Sequence, residues 1–168
     1  MKKILILCVV LFGLLSPLAA SDGEKFFQVG TGILYQRGWD LTVGIEQETR
    51  YHNAWEYFGN VYLKWEECAS CGHVCPESFW KSYNTWALGA AYKPALVRKR
   101  NSVGRVRLGA SLGSDRHELL GGIHVGYEQN YALRNGMVLY WQVKSDLMIN
   151  GMDLFRTGLA LGIKLPFK

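Results

Sequence analysis

The sequence predicts an all-β chain folded as an eight-stranded antiparallel up-and-down transmembrane β-barrel, and three observations carry the prediction. From Lys25 to the end of the chain apolar residues recur with period two, with almost none of the 3.6-residue spacing of an amphipathic helix. Turn-rich points break this alternation into eight segments of about ten residues, the length that crosses a bilayer as a tilted strand. The chain also opens as an exported protein does. Met1-Lys2-Lys3 precedes an apolar run from Ile4 to Leu15, followed by Ser16, Pro17 and the small residues Ala19, Ala20 and Ser21. Residues 1–20 read as a signal peptide and residues 21–168 as one barrel domain.

Composition excludes several alternatives. The leader run is too short to span a bilayer, which takes roughly 20 apolar residues, and no other stretch approaches that length, so a helical membrane protein is ruled out. Cys8 lies inside the leader and no cysteine closely follows the cleavage region, which argues against a lipoprotein. The net charge of +5 falls to +3 when Lys2 and Lys3 leave with the leader. Acids and bases are interleaved without a basic stripe, so no direct nucleic-acid binding is expected. Nineteen glycines, six Trp, nine Tyr and seven Phe against four prolines suit β structure.

The segments follow in order. The first, Lys25 to Gln36, sets Phe27, Val29, Thr31, Ile33 and Tyr35 against Gln28, Gly30, Gly32 and Gln36, and turns at Arg37-Gly38. The second, Trp39 to Glu48, opposes Trp39, Leu41, Val43 and Ile45 to Asp40, Thr42, Gly44 and Glu46, and ends at His52-Asn53. The third, Ala54 to Glu66, has Trp55, Tyr57, Val61 and Leu63 against Glu56, Asn60, Tyr62 and Lys64. After a cysteine-containing loop, the fourth lies within Trp80 to Tyr92, with Trp86, Leu88 and Ala90 against Lys81, Thr85 and Gly89. The basic stretch from Lys93-Pro94 to Ser102 is expected to be a turn. The fifth, Val103 to Gly113, alternates Val106, Leu108, Ala110 and Leu112 with Arg105, Arg107, Gly109 and Ser111. The sixth sets Leu119, Ile123, Val125 and Tyr127 against Gly122, His124, Gly126 and Glu128, with Asn130 and Asn135 bounding the next turn. The seventh opposes Leu139, Trp141 and Val143 to Tyr140, Gln142 and Lys144. Past Asn150-Gly151, the eighth opposes Phe155, Leu159, Leu161, Ile163, Leu165 and Phe167 to Arg156, Gly158, Gly162 and Lys164.

Alternation alone does not say which face points in. A lipocalin-like soluble barrel would hide its apolar face, whereas an outer-membrane barrel turns that face to lipid. The membrane arrangement is favoured because the polar face holds most strand glycines and charges of both signs, as a narrow ion-paired interior requires. The apolar face holds the tryptophans, several near strand ends where an interfacial girdle forms. Phe167, almost at the chain end, fits a C-terminal insertion signal. Outer-membrane lipid is thus the expected surrounding and the outer membrane the expected location. Eight strands enclose only room for side chains, so Asp40, Glu46, Glu56, Lys64, Lys81, Arg105, Arg107, Glu128, Lys144, Arg156 and Lys164 should pair and plug the lumen. With both termini in the periplasm, the loop from Glu67 to Phe79 is extracellular and the basic turn Arg98-Lys99-Arg100 periplasmic.

Few residues point to chemistry, and no catalytic, cofactor or metal site is expected. Cys68, Cys71 and Cys75, with His73 among them, could in principle ligate zinc, but in an exported loop two of the three are expected to form a disulfide, with the pair left open. Ser114, Asp115 and His117 cluster in one turn, where Ser and Asp are ordinary turn residues. His124 is expected to partner Glu118 or Glu128.

Two stretches carry a family resemblance. Cys71-Gly72-His73-Val74-Cys75-Pro76 through Trp86-Ala87-Leu88-Gly89-Ala90-Ala91-Tyr92-Lys93-Pro94, and Asp153-Leu154-Phe155-Arg156-Thr157-Gly158 to Lys164-Leu165-Pro166, resemble the conjugative transposon protein TraO family of Bacteroides-type bacteria. The resemblance implies an outer-membrane component of a conjugation apparatus related to type IV secretion, with other apparatus proteins as partners and no inherited site residues. The alternative is a stand-alone barrel similar to OmpA- and OmpX-type proteins, serving adhesion or membrane integrity.

Overall fold

The computed structural model describes residues 23–65, 67, 72–75, 83–115 and 117–167. The expected signal peptide, Cys68, Cys71, Trp80 and Lys81 lie outside the described residues. The strands are β1 (Lys25–Leu34), β2 (Gly38–Glu48), β3 (Ala54–Lys64), β4 (Asn84–Lys93), β5 (Ala95–Lys99), β6 (Ser102–Ser114), β7 (Leu119–Ala132), β8 (Val138–Ile149) and β9 (Phe155–Phe167). Each is antiparallel to its neighbours, and β1 pairs with β9 from Lys25↔Phe167 to Leu34↔Gly158, which closes the sheet on itself.

Nine segments make eight barrel strands because β4 and β5 are two lengths of one strand, both paired to β6. The interruption is Pro94, which has no N–H to give a ladder, and the register shifts between Ala95 and Val97 as at a bulge. The stretch expected as a turn from Lys93 to Ser102 is therefore mostly strand. Its bases and proline mimic a turn, but only Arg100-Asn101 reverse the chain. Asn130 likewise lies inside β7, and the reversal comes at Leu133–Met137, where Leu133 N–H donates to Met137 O at 2.8 Å.

The register fixes the barrel's slant. Followed from partner to partner, Lys25 leads through Gln47, Trp55, Tyr92, Leu108, Val125 and Ser145 to Thr157, whose carbonyl accepts from Tyr35 N–H. One circuit thus returns to β1 ten residues further along. That stagger over eight strands corresponds to a tilt of about 40° and an interior filled by side chains.

Burial alternates with the strand period and settles which face is which. Gln28, Asp40, Glu46, Glu56, Arg105, Arg107, Glu128, Lys144 and Lys164 are buried, while Ile33, Leu88 and Leu161 are 68%, 63% and 64% exposed. A soluble barrel would show the reverse. Trp39, Trp55, Trp86 and Trp141 face outward with the aliphatic residues. Trp55 packs on Tyr92 at 5.0 Å and Tyr127 on Trp141 at 5.9 Å towards the end carrying the β2–β3 turn, while Trp39 and Trp86 lie towards the other end. Two aromatic levels bracket an aliphatic band, as at the two faces of a bilayer.

Inside, glycines make room for rings. Tyr140 on β8 is in register with Gly162 on β9, which is in register with Gly30 on β1, so one ring covers the seam between the first and last strands. A Cβ at Gly162 would meet the Tyr140 ring at 2.5 Å, and one at Gly30 would fall on its hydroxyl. Gly162→Val should therefore lower the urea-unfolding midpoint of the micelle-held barrel by the equivalent of about 1–3 kcal/mol. Gly121→Ala, where the new Cβ meets only Ile149 at 3.8 Å, should leave that midpoint unchanged.

Candidate functional site

The lumen is built from residues that alternation points inward on every strand, and two ionic clusters fill it. In the first, Glu46 of β2 and Glu128 of β7 are bridged by two ammonium groups. Lys93 Nζ donates to Glu46 Oε2 at 2.7 Å and to Glu128 Oε2 at 2.6 Å, and Lys164 Nζ reaches the same two carboxylates at 2.7 and 2.6 Å. Arg105 Nη1 adds a 2.6 Å bond to Glu46, and its Nη2 donates to Glu48 at 2.7 Å. Glu56 takes Arg107 Nε at 2.6 Å, lies 3.2 Å from Lys93 Nζ and accepts from the Gln28 amide. Strands from all sides of the barrel thus meet through side chains at its centre. Lys93, expected in a turn, is the hub.

The second cluster crosses from β2 to β6. Lys144 of β8 binds Asp40 of β2 and lies 3.3 Å from Asp146. Asp146 and His124 are direct register partners, with Asp146 Oδ1 at 2.7 Å from His124 Nδ1, and Ser111 Oγ stands 2.7 Å from Nε2. The partners of His124 are therefore Asp146 and Ser111, not Glu118 or Glu128, because nearest neighbours in a sheet sit on adjacent strands. Arg107 lies over the Phe58 ring at 4.2 Å, and Phe58 meets His124 edge-on at 5.1 Å.

Ser111, His124 and Asp146 have the connectivity of a catalytic triad, which the sequence hides on three strands. All three are buried, and the cavity beside His124 is about 10 Å³, room for roughly one water and none for a substrate carbonyl. Their chemistry is a hydrogen-bonded relay that orients the ring. In the cluster of Ser114, Asp115 and His117, the carboxylate is engaged by the backbone of its own turn. Asp115 Oδ1 accepts from Glu118 N–H at 2.9 Å and His117 N–H at 3.1 Å, an Asx-type turn, and these two donors hold its carboxyl below the ordinary value.

The mouths differ. At the end carrying the β2–β3 and β5–β6 turns, a vestibule of about 220 Å³ is lined by Glu24, Glu48, His52, Lys99, Arg100 and Asn130. At the other end the β8–β9 connection folds inward, and Asp153 accepts from Lys64 Nζ at 2.6 Å and Tyr62 Oη at 2.9 Å. Of the remaining expected residues, Cys75 is half-buried with Sγ 3.6 Å from His73 O, and Phe167 ends β9 opposite Lys25. Cys68 and Cys71 lie outside the described residues, so the expected disulfide stays an expectation.

A surface of exposed aliphatic side chains around an interior of buried ions is stable only where the surrounding medium is hydrocarbon, and a closed sheet is the one β arrangement that leaves no backbone group unpaired there. The class this defines is the outer-membrane β-barrel, located in the outer membrane. No family model and no curated protein matches the sequence. Among solved structures, the chain is similar to a major outer membrane protein from Thermus thermophilus, with a TM-score of 0.63 and 9% identity over 87% of this chain and all of that one. It is also similar to de novo designed transmembrane β-barrels, with a TM-score of 0.53 and 12% identity over 86% of this chain and 96% of the other. A third likeness is to the Yersinia pestis outer membrane protein Ail in a phospholipid nanodisc, with a TM-score of 0.52 and 11% identity over 86% of this chain and all of Ail. At these identities the likeness is one of fold.

Removing a hub cation should leave buried carboxylates uncompensated. Lys93→Met should cost about 3–5 kcal/mol of barrel stability in urea titration, and adding Glu128→Gln should restore part of it.

Proposed function

We propose that the chain is a non-conducting outer-membrane part of a conjugative DNA-transfer apparatus related to type IV secretion, where it is structural or binds partner proteins and does not touch DNA. The observation that carries the non-conducting role is the packed lumen, in which Lys93 and Lys164 tie Glu46 to Glu128 across the axis. A barrel so filled works through its mouths, loops and turns. The conjugation role is supported by the TraO resemblance of the stretches ending at Pro94 and Pro166. Catalysis has no part in the proposal, since the Ser111–His124–Asp146 relay has no substrate space beside it.

A second reading is a stand-alone small barrel of the OmpA or OmpX kind acting in adhesion or membrane integrity, which is supported by a fold shared with Ail over the whole of that chain. Deleting the gene separates the two. The first predicts loss of conjugal transfer, restored by the wild-type gene, with detergent tolerance unchanged. Normal transfer with new detergent sensitivity would favour the second. In planar bilayers, either reading predicts no stepwise conductance, and steady ion channels from the purified barrel would contradict both.

A further inference from the structure

The mouth at the β8–β9 connection holds a cation whose hydrogen bonds are incomplete. Arg156 is 3% exposed, its Nη1 donates to Thr85 Oγ1 at 3.0 Å, and its guanidinium carbon lies 3.9 Å from the Tyr62 ring centre and 5.9 Å from that of Tyr83. Its Nε and Nη2 have no hydrogen-bond partner among the described residues. Burying two donors of a guanidinium without acceptors is unfavourable, and the fork of an arginine is matched by a two-oxygen anion.

Above it lies a strap. Asn150 takes a left-handed conformation at φ 64, the chain turns through Gly151, and Met152 N–H donates to Tyr83 Oη at 3.2 Å. A Cβ at Gly151 would stand 3.6 Å from Arg156 Nη2, so this strap covers the unpartnered side of the guanidinium. Asp153 then turns inward onto Lys64 and Tyr62. Among the described residues Lys64 and Arg156 therefore share a single carboxylate at this mouth, since Asp146, the register partner of Arg156, is engaged by His124 and Lys144. Two cations, the phenol groups of Tyr62 and Tyr83, and one monoanion leave a site whose charge and donors suit a dianion. At the opposite mouth, Arg105 and Lys164 are already bonded to Glu46, Glu48 and Glu128, and these cations have their charge matched.

We propose that this mouth is a phosphate-monoester site in which Asp153 is a tethered stand-in, and that an incoming phosphate displaces it, with the strap that carries it, from Lys64 and Tyr62 and engages the two unpartnered N–H groups of Arg156 beneath. The site is independent of the conjugation reading. Whether borne by a glycolipid headgroup or free in solution, the phosphate presents the same chemistry.

The test uses the mature protein in non-ionic detergent micelles, titrated calorimetrically with inorganic phosphate. Removing the stand-in charge with Asp153→Asn should tighten phosphate binding by about tenfold. Adding Arg156→Gln or Lys64→Met to Asp153→Asn should abolish the gain, with folding followed by the heat-modifiable gel band. If Arg156→Gln fails to fold, Lys64→Met and Tyr62→Phe carry the comparison. Lipid A in mixed micelles, with and without its phosphates, separates the sources. Binding of phosphorylated lipid A alone assigns the site to a headgroup, and binding of inorganic phosphate as well assigns it to free phosphate esters too. If Asp153→Asn binds neither, or if its binding survives loss of both Arg156 and Lys64, the proposal is wrong.

Discussion

The structure depends on keeping charge inside a barrel too narrow to hydrate it. An ion in such a lumen has no counterion except another side chain, so each carboxylate is placed against a cation, and for Asp40, Glu46, Glu56 and Glu128 that cation comes from a strand distant in sequence. The quartet of Glu46, Lys93, Glu128 and Lys164 meets this constraint by ringing two acids with two bases, each within hydrogen-bond distance. Pairs of this kind contribute little net stability against an apolar filling, but breaking one is costly because a lone charge remains. They therefore select one register: slipping any strand by one residue would expose its charges to lipid and bury its leucines among ions.

The small residues of the seam follow from the same crowding. The inner faces of β1 and β9 carry Gly30, Gly32, Gly158, Ala160 and Gly162, and side chains from neighbouring strands fill the space they leave. Tyr140 lies over Gly30 and Gly162, while Leu34 meets Gly158 and Asp40 meets Gly32. The ten-residue stagger sets how far each ring leans across its neighbours. Slant, glycine placement and ionic pairing are thus three expressions of one packing problem.

The fold is legible in the sequence because period-two alternation is a local property, and the distribution of glycine and charge tells the inner face from the outer. Partnerships inside the lumen are not legible, because they join residues that only the register brings together. Proximity along the chain points His124 to Glu118 or Glu128, at or beside its own strand, whereas Asp146 and Ser111 lie on the strands to either side. Continuing the alternation of β8 one step past Lys144 would bring Asp146 into view. Lys93 reads as a turn residue because proline followed by bases imitates a turn, although Ala95, Leu96 and Val97 continue the strand. The inward fold of the β8–β9 connection has no signal beyond Asn150-Gly151, since Asp153 finds its partners only across the mouth.

All of this requires that the aliphatic face meet hydrocarbon while the ionic face is sealed from it. Nitroxide labels at Leu88→Cys, Val125→Cys and Leu161→Cys, in the barrel reconstituted in lipid vesicles, test that requirement by collision with oxygen and with a water-soluble nickel complex. Oxygen, which concentrates in the bilayer, should broaden all three signals, and nickel should leave them nearly unchanged. Labels reached by nickel and shielded from oxygen would contradict a lipid-facing aliphatic surface.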